Sequence, residues 1–147
     1  MYTLTVAHDH TFFVGHARVL MHNAGGACNN INGAAAEALV RYVTGGTATR
    51  IIWVSGSEQV ERRVDALTRD LVAYESKAGR IVLEPRIREE VEKDAYLLRT
   101  GRVKKVIWAF LKSPVTNKIG PSRGLRTLLE QTGIEIHIIT DTGVIDL

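Results

Sequence analysis

The chain has 147 residues, 45% apolar and 24% charged, which suits one compact domain with a short appendage and excludes a disordered or fibrous protein. Its formal charge of +3 is compatible with a polyanionic partner without establishing one. The single cysteine, Cys28, excludes an internal disulfide and a cysteine-rich zinc site, no stretch approaches a membrane span, and no signal-peptide pattern is present, so export is expected to depend on something outside this chain.

Residues 2–6 (YTLTV) alternate like a strand, and residues 11–14 and 17–21 read as two more short strands around Gly15. Four of the five histidines (His8, His10, His16 and His22) fall in the first 23 residues, at spacings that match no common metal-ligand set. Residues 24–33 are rich in Gly and Asn and read as a linker. Residues 34–43 are Ala-rich helix formers, ended by Gly45 and Gly46. Residues 49–54 (TRIIWV) read as a strand, and a tight hairpin centred on Asp70 supplies two more. Pro85 suits the first turn of a second helix, in which Ile87, Val91, Ala95 and Leu98 keep helical spacing before Gly101 stops it. Residues 103–111 form a strand with a buried centre. Pro121 is expected to open a last helix through Leu128 and Leu129, closed by Gly133, and residues 134–139 form the final strand. The order is αβββαβ, then αβ.

The hairpin carries the chemistry. Glu75 and Lys77 are two apart on one strand and share a face. A reversal at Asp70 sets Asp65 opposite Glu75, with Cβ atoms about 4.5–5.5 Å apart. Carboxylates that close repel unless a positive charge lies between them, and a divalent cation is one solution. The apolar run from Leu71 to Tyr74 leads straight into Glu75, where an unpaired charge costs several kcal/mol. An exposed hairpin face with alternating charge is the plainer reading of the same residues.

This Asp-x9-Glu-x-Lys hairpin, within this order of elements, resembles the PD-(D/E)xK nuclease superfamily. The resemblance implies an α/β fold over most of residues 34–140: a restriction-endonuclease-like αβββαβ core with a mixed sheet flanked by helices, plus a short N-terminal β remnant. It also implies that Asp65 and Glu75 ligate Mg2+ or Mn2+, with the Ser76 carbonyl completing the set. Lys77 would sit beside the attacking water, and Glu37, the acid of the first helix, would either join the catalytic group or be a plain solvated helix charge. The substrate would be nucleic acid, either DNA or RNA. Arg62, Arg63, Arg69, Lys104 and Lys105 are candidate contacts to its backbone or plain solvated charges, and Lys93 on the second helix reads similarly. The start of the last helix, Ser122-Arg123-Gly124, reads as a plain cap or a phosphate site. Trp53, Trp108 and His137 lie within apolar strands and read as core.

The N-terminal blocks at residues 2–6 (YTLTV), 10–15 (HTFFVG) and 19–23 (VLMHN) resemble the tail of a pretoxin HINT module, the Hedgehog/intein-type element of bacterial polymorphic toxins. That resemblance implies that Asn23 is the cyclising residue and His22 its helper. With most of such a module missing, residues 1–23 are expected to be an inert remnant. The expected organisation is therefore 1–23 remnant, 24–33 linker and 34–147 nuclease-like toxin domain, delivered into a target-cell cytoplasm and blocked by a cognate immunity protein. A non-catalytic nucleic-acid-binding or protein-interaction module on the same fold is the alternative.

Overall fold

A computed structural model describes residues 11–14, 19–22, 28–140 and 143–146, with side chains for 33–139. Strands β1 (Thr11–Val14) and β2 (Val19–His22) form an antiparallel pair with Thr11 opposite His22. The expected strand at residues 2–6 and the whole of Asn23 lie outside the described residues, as does the His22 side chain.

Helix α1 spans Cys28–Thr44, so the Gly/Asn-rich run read as a linker is helical from Cys28 onward. Helix growth explains the difference: once the Ala-rich turn has nucleated, each added residue gains a hydrogen bond without a new nucleation cost. Gly45 then leaves the helix at φ +68°, as expected of a residue lacking Cβ.

Strands β3 (Thr47–Ser55), β4 (Glu58–Leu67) and β5 (Val72–Ala78) follow as an antiparallel meander. The β4–β5 reversal closes with Thr68 N–H donating to the Val72 carbonyl at 3.0 Å and Leu71 N–H to the Thr68 carbonyl at 3.0 Å. Its register, Ala66 opposite Tyr74 and Leu67 opposite Ala73, is the one a centre at Asp70 requires.

After the short β6 (Arg80–Ile81), helix α2 (Pro85–Arg99) starts with Pro85 in its first turn. Strand β7 (Lys105–Leu111) returns parallel to β5. It is buried on both faces along most of its length, as a central parallel strand covered by helices must be. Strand β8 (Gly120–Pro121) pairs with β6, helix α3 (Arg123–Thr132) follows, and β9 (Glu135–Thr140) lies parallel to β7. Strand β10 (Gly143–Asp146) turns back antiparallel on β9. Pro121 does not open α3. It pairs with Ile81, and Ser122 caps the helix by accepting from Leu125 N–H at 3.4 Å. A serine hydroxyl satisfies one of the unpaired first-turn donors, which proline cannot do.

The six-stranded mixed sheet runs β10-β9-β7-β5-β4-β3. Helices α2 and α3 cover one face, where Val91, Leu97, Leu125 and Leu129 pack on Val106, Trp108 and Phe110. Helix α1 covers the other, with Val40 against Ala66 and Ala109. The α/β architecture and the main order αβββαβαβ are those expected from the sequence, to which the structure adds the unexpected strands β6, β8 and β10. No helix among the described residues is long and apolar enough to cross a membrane.

Candidate active site

Asp65 sits where β4 departs from regular pairing. Thr49 faces Val64 and Thr47 faces Leu67, so Asp65 and Ala66 together oppose the single residue Ala48. This is a β-bulge, which re-aims side chains. Its effect is visible in the packing: Val64 joins the α2/α3-side core, whereas Ala66, two residues on, joins the α1-side cluster.

The bulge changes the expected contact. Asp65 Oδ2 accepts from Ser76 N–H at 2.7 Å and from Ser76 Oγ at 2.6 Å, instead of facing the Glu75 carboxylate head-on. Asp65 Oδ1 is left without a protein donor among the described residues. A strand residue presents its N–H and C=O to the same side, so the Ser76 carbonyl points toward β4 as well.

Glu75 and Lys77 share the α2 face, as their spacing requires. Lys77 Nζ donates to Glu75 Oε1 at 2.8 Å and to Glu90 Oε2 at 2.6 Å, and lies 4.7 Å from the centre of the Trp108 ring. Arg62 Nη2 stands 3.0 Å from Glu75 Oε2, an ion pair without hydrogen-bond alignment. Glu75 Oε2 is thus the single buried side-chain nitrogen or oxygen without a hydrogen bond among the described residues. Arg62 itself is held in a fork by Asp94, at 2.6 and 2.9 Å, and Trp108 Nε1 donates to the same carboxylate at 2.9 Å. The result is a buried chain of alternating charge: Asp94, Arg62, Glu75, Lys77, Glu90.

Burial pushes the Glu75 carboxyl up to about 7, although Lys77 and Arg62 pull it back; Asp65 and Asp94 add to the rise. Burial disfavours the Lys77 ammonium, but Glu75 and Glu90 outweigh it and hold the group charged, above the usual amine range. With every member ionised, the four acids Asp65, Glu75, Glu90 and Asp94 outnumber the three bases around them, Arg62, Lys77 and the exposed Arg86, which stands 3.4 Å from Glu90.

Three protein oxygens are the candidates to hold a divalent cation. No three His, Cys, Asp or Glu side chains among the described residues gather to hold a metal by themselves. The candidate oxygens are Glu75 Oε2, which lacks a hydrogen bond but stands 3.0 Å from Arg62 Nη2, Asp65 Oδ1 and the Ser76 carbonyl. Mg2+ and Mn2+ favour oxygen donors, and Mg2+ typically takes one or two carboxylates and keeps several waters.

Other expected residues fall elsewhere. Glu37 does not join Glu75 and Lys77, because its carboxylate pairs with Arg41 at 3.4 Å and Arg63 at 3.2 Å on the α1 face. Arg62 is no surface contact: it is 8% exposed and committed to the two acids. Arg63, Arg69, Lys104 and Lys105 are exposed, but the last three gather at the β4–β5 turn. There Lys104 N–H donates to the Leu71 carbonyl and Lys105 pairs with Val72 in register. Lys105 also meets Glu135 at 2.9 Å, and Lys93 meets Glu89 at 2.8 Å. Glu90 and Asp94 enter the site without having been expected there. They lie four apart on α2 and face the sheet, a signal the sequence offers only as two acids among many on a charged helix.

No family model matches the sequence, and no curated protein matches it. Among solved structures, Pyrococcus furiosus SfsA, in complex with Ca2+, is similar over 91% of this chain and 67% of its own, at 14% identity and a TM-score of 0.46. The chemistry of the site rests on this chain's own side chains.

Proposed function

We propose that residues 34–147 form a metal-dependent nuclease that hydrolyses phosphodiester bonds in DNA or RNA. One observation carries this reading: a charged Lys77 contacts Glu75, whose other oxygen is buried without a hydrogen bond, and Asp65 is bound to the next residue along, Ser76. A bound Mg2+ or Mn2+ would acidify its water and offset charge on the phosphate. Glu90 keeps the Lys77 ammonium in place, so Lys77 can orient the attacking water and stabilise the negative charge that develops on phosphorus oxygens. Asp94 keeps Arg62 at the rear of Glu75. In the wider proposal the domain is the toxic tip of a polymorphic toxin. Residues 1–23 are a HINT remnant with His22 and Asn23 at its end, the target-cell cytoplasm is the destination, and an immunity protein is the partner.

The closed ion-pair chain favours a second reading, in which the cluster is structural and the domain only binds. Purified chain incubated with chromosomal DNA and with total RNA separates the two. Nuclease action requires Mg2+ or Mn2+, stops in EDTA, and falls by about 10²–10³ in Lys77→Ala. Cleavage that survives EDTA, or an unchanged rate in Lys77→Ala, rejects it.

A further inference from the structure

The nuclease reading leaves open where the polyanion lies. We propose that the nucleic-acid backbone crosses the end of the sheet where Lys77 sits, held by Arg80, Lys112, Lys118 and Arg123, and not the β4–β5 turn where Arg69, Lys104 and Lys105 gather. This rests on the reading of the site as a nuclease.

The backbone brings these four cations together. Leu111 pairs with Ala78, and its carbonyl accepts from Gly79 N–H at 2.8 Å, which sets Lys112 beside the start of Arg80. Arg80 faces Gly120 in the β6–β8 pair, two residues after Lys118. Ser122 N–H donates to the Ile81 carbonyl at 2.7 Å, which brings in Arg123. The loop between Lys112 and Lys118 is built, since Ser113 N–H donates to the Lys118 carbonyl at 3.0 Å and Ser113 Oγ accepts from Val115 and Thr116. All four side chains are exposed, and none meets an acid among the described residues.

Position and charge point the same way. Arg80 is three residues beyond Lys77, at most about 10 Å along the chain, whereas Lys105 is level with Val72, about 17 Å behind Lys77. The sequence holds no Asp or Glu between Asp94 and Glu130, so the β7–α3 segment offers phosphates no repulsion. The nearby acids are Glu84 and Glu90, the latter engaged by Lys77 and Arg86, and Arg80 and Arg88 stand beside them. A strand of phosphates laid across this rim passes the mouth of the Glu75–Lys77 cluster, whereas one laid on the turn does not.

The test uses the full chain in EDTA, so that binding is measured without cleavage. Fluorescein-labelled probes, a DNA duplex and an RNA hairpin, are titrated by anisotropy across a salt series. The triple variant Arg80→Gln, Lys112→Gln, Lys118→Gln is compared with Arg69→Gln, Lys104→Gln, Lys105→Gln. The first triple should weaken binding at least tenfold and flatten the slope of log affinity against log salt by about two to three, at roughly 0.7–0.9 for each phosphate no longer neutralised. The second should leave the slope within about one of wild type. Loss confined to the second triple, or equal loss in both, overturns the path and leaves the nuclease reading standing. A wild type that binds through the first set but cuts neither nucleic acid when Mn2+ is restored overturns the nuclease reading alone. Failure of wild type to bind either probe at low salt overturns both.

Discussion

Glu75 is held between opposing influences: burial favours its neutral form, and two cations favour its charged one. Because its carboxyl is raised from 4.5 to about 7, the folded state takes up a proton more readily than the unfolded state between those values. Its contribution to stability is therefore full below about pH 4.5 and declines as pH rises through 7, by up to about 3 kcal/mol. Urea melts of metal-free wild type and Glu75→Gln from pH 5 to 8 should show wild type losing stability relative to the variant as pH rises. A constant difference between them would mean that Glu75 titrates in its ordinary range. Metal affinity should run the other way and strengthen toward pH 8, because the ligand must be ionised.

At the scale of elements, the site depends on how β5 ends. Gly79 leaves the strand at φ +88°, two residues after Lys77, and a Cβ there would meet Ser113 Cβ at 3.1 Å. Its N–H and C=O are both engaged, with Leu111 and Gly120. Gly79→Ala should cost about 1–3 kcal/mol, read as a lower urea midpoint, and should lower cleavage more than that loss explains, since Lys77 shifts with the strand end. A midpoint equal to wild type would show that the turn relaxes freely. Helix α2 matters similarly: its one-turn spacing delivers Glu90 to Lys77 and Asp94 to Arg62, so one packed helix fixes both cations.

Across the whole molecule, a buried cluster with more acids than bases is where a bound cation would add stability. Mn2+ should raise the melting temperature by an amount equivalent to about 2.7 kcal/mol when present at a hundred times its Kd, and Glu75→Gln should abolish the shift. A Glu75→Gln protein that gains as much as wild type would place the ion elsewhere. Trp108 links core and site, since its ring packs among Phe110 and the α2 and α3 leucines while its N–H serves Asp94.

Hydrophobic period and turn residues in the sequence determined the presence and order of the helices (though not the starts of α1 and α3), the central strands, the β4–β5 register and the shared face of Glu75 and Lys77. These are local properties, set by dihedral preference and by the two-residue repeat of a strand. Tertiary structure alone decided the bulge that turns Asp65 to Ser76, the burial of Arg62, the diversion of Glu37 to Arg41 and Arg63, and the entry of Glu90 and Asp94. Each of these depends on which charged groups distant segments bring within about 3 Å in a poorly solvated interior, and adjacent residues carry no record of that.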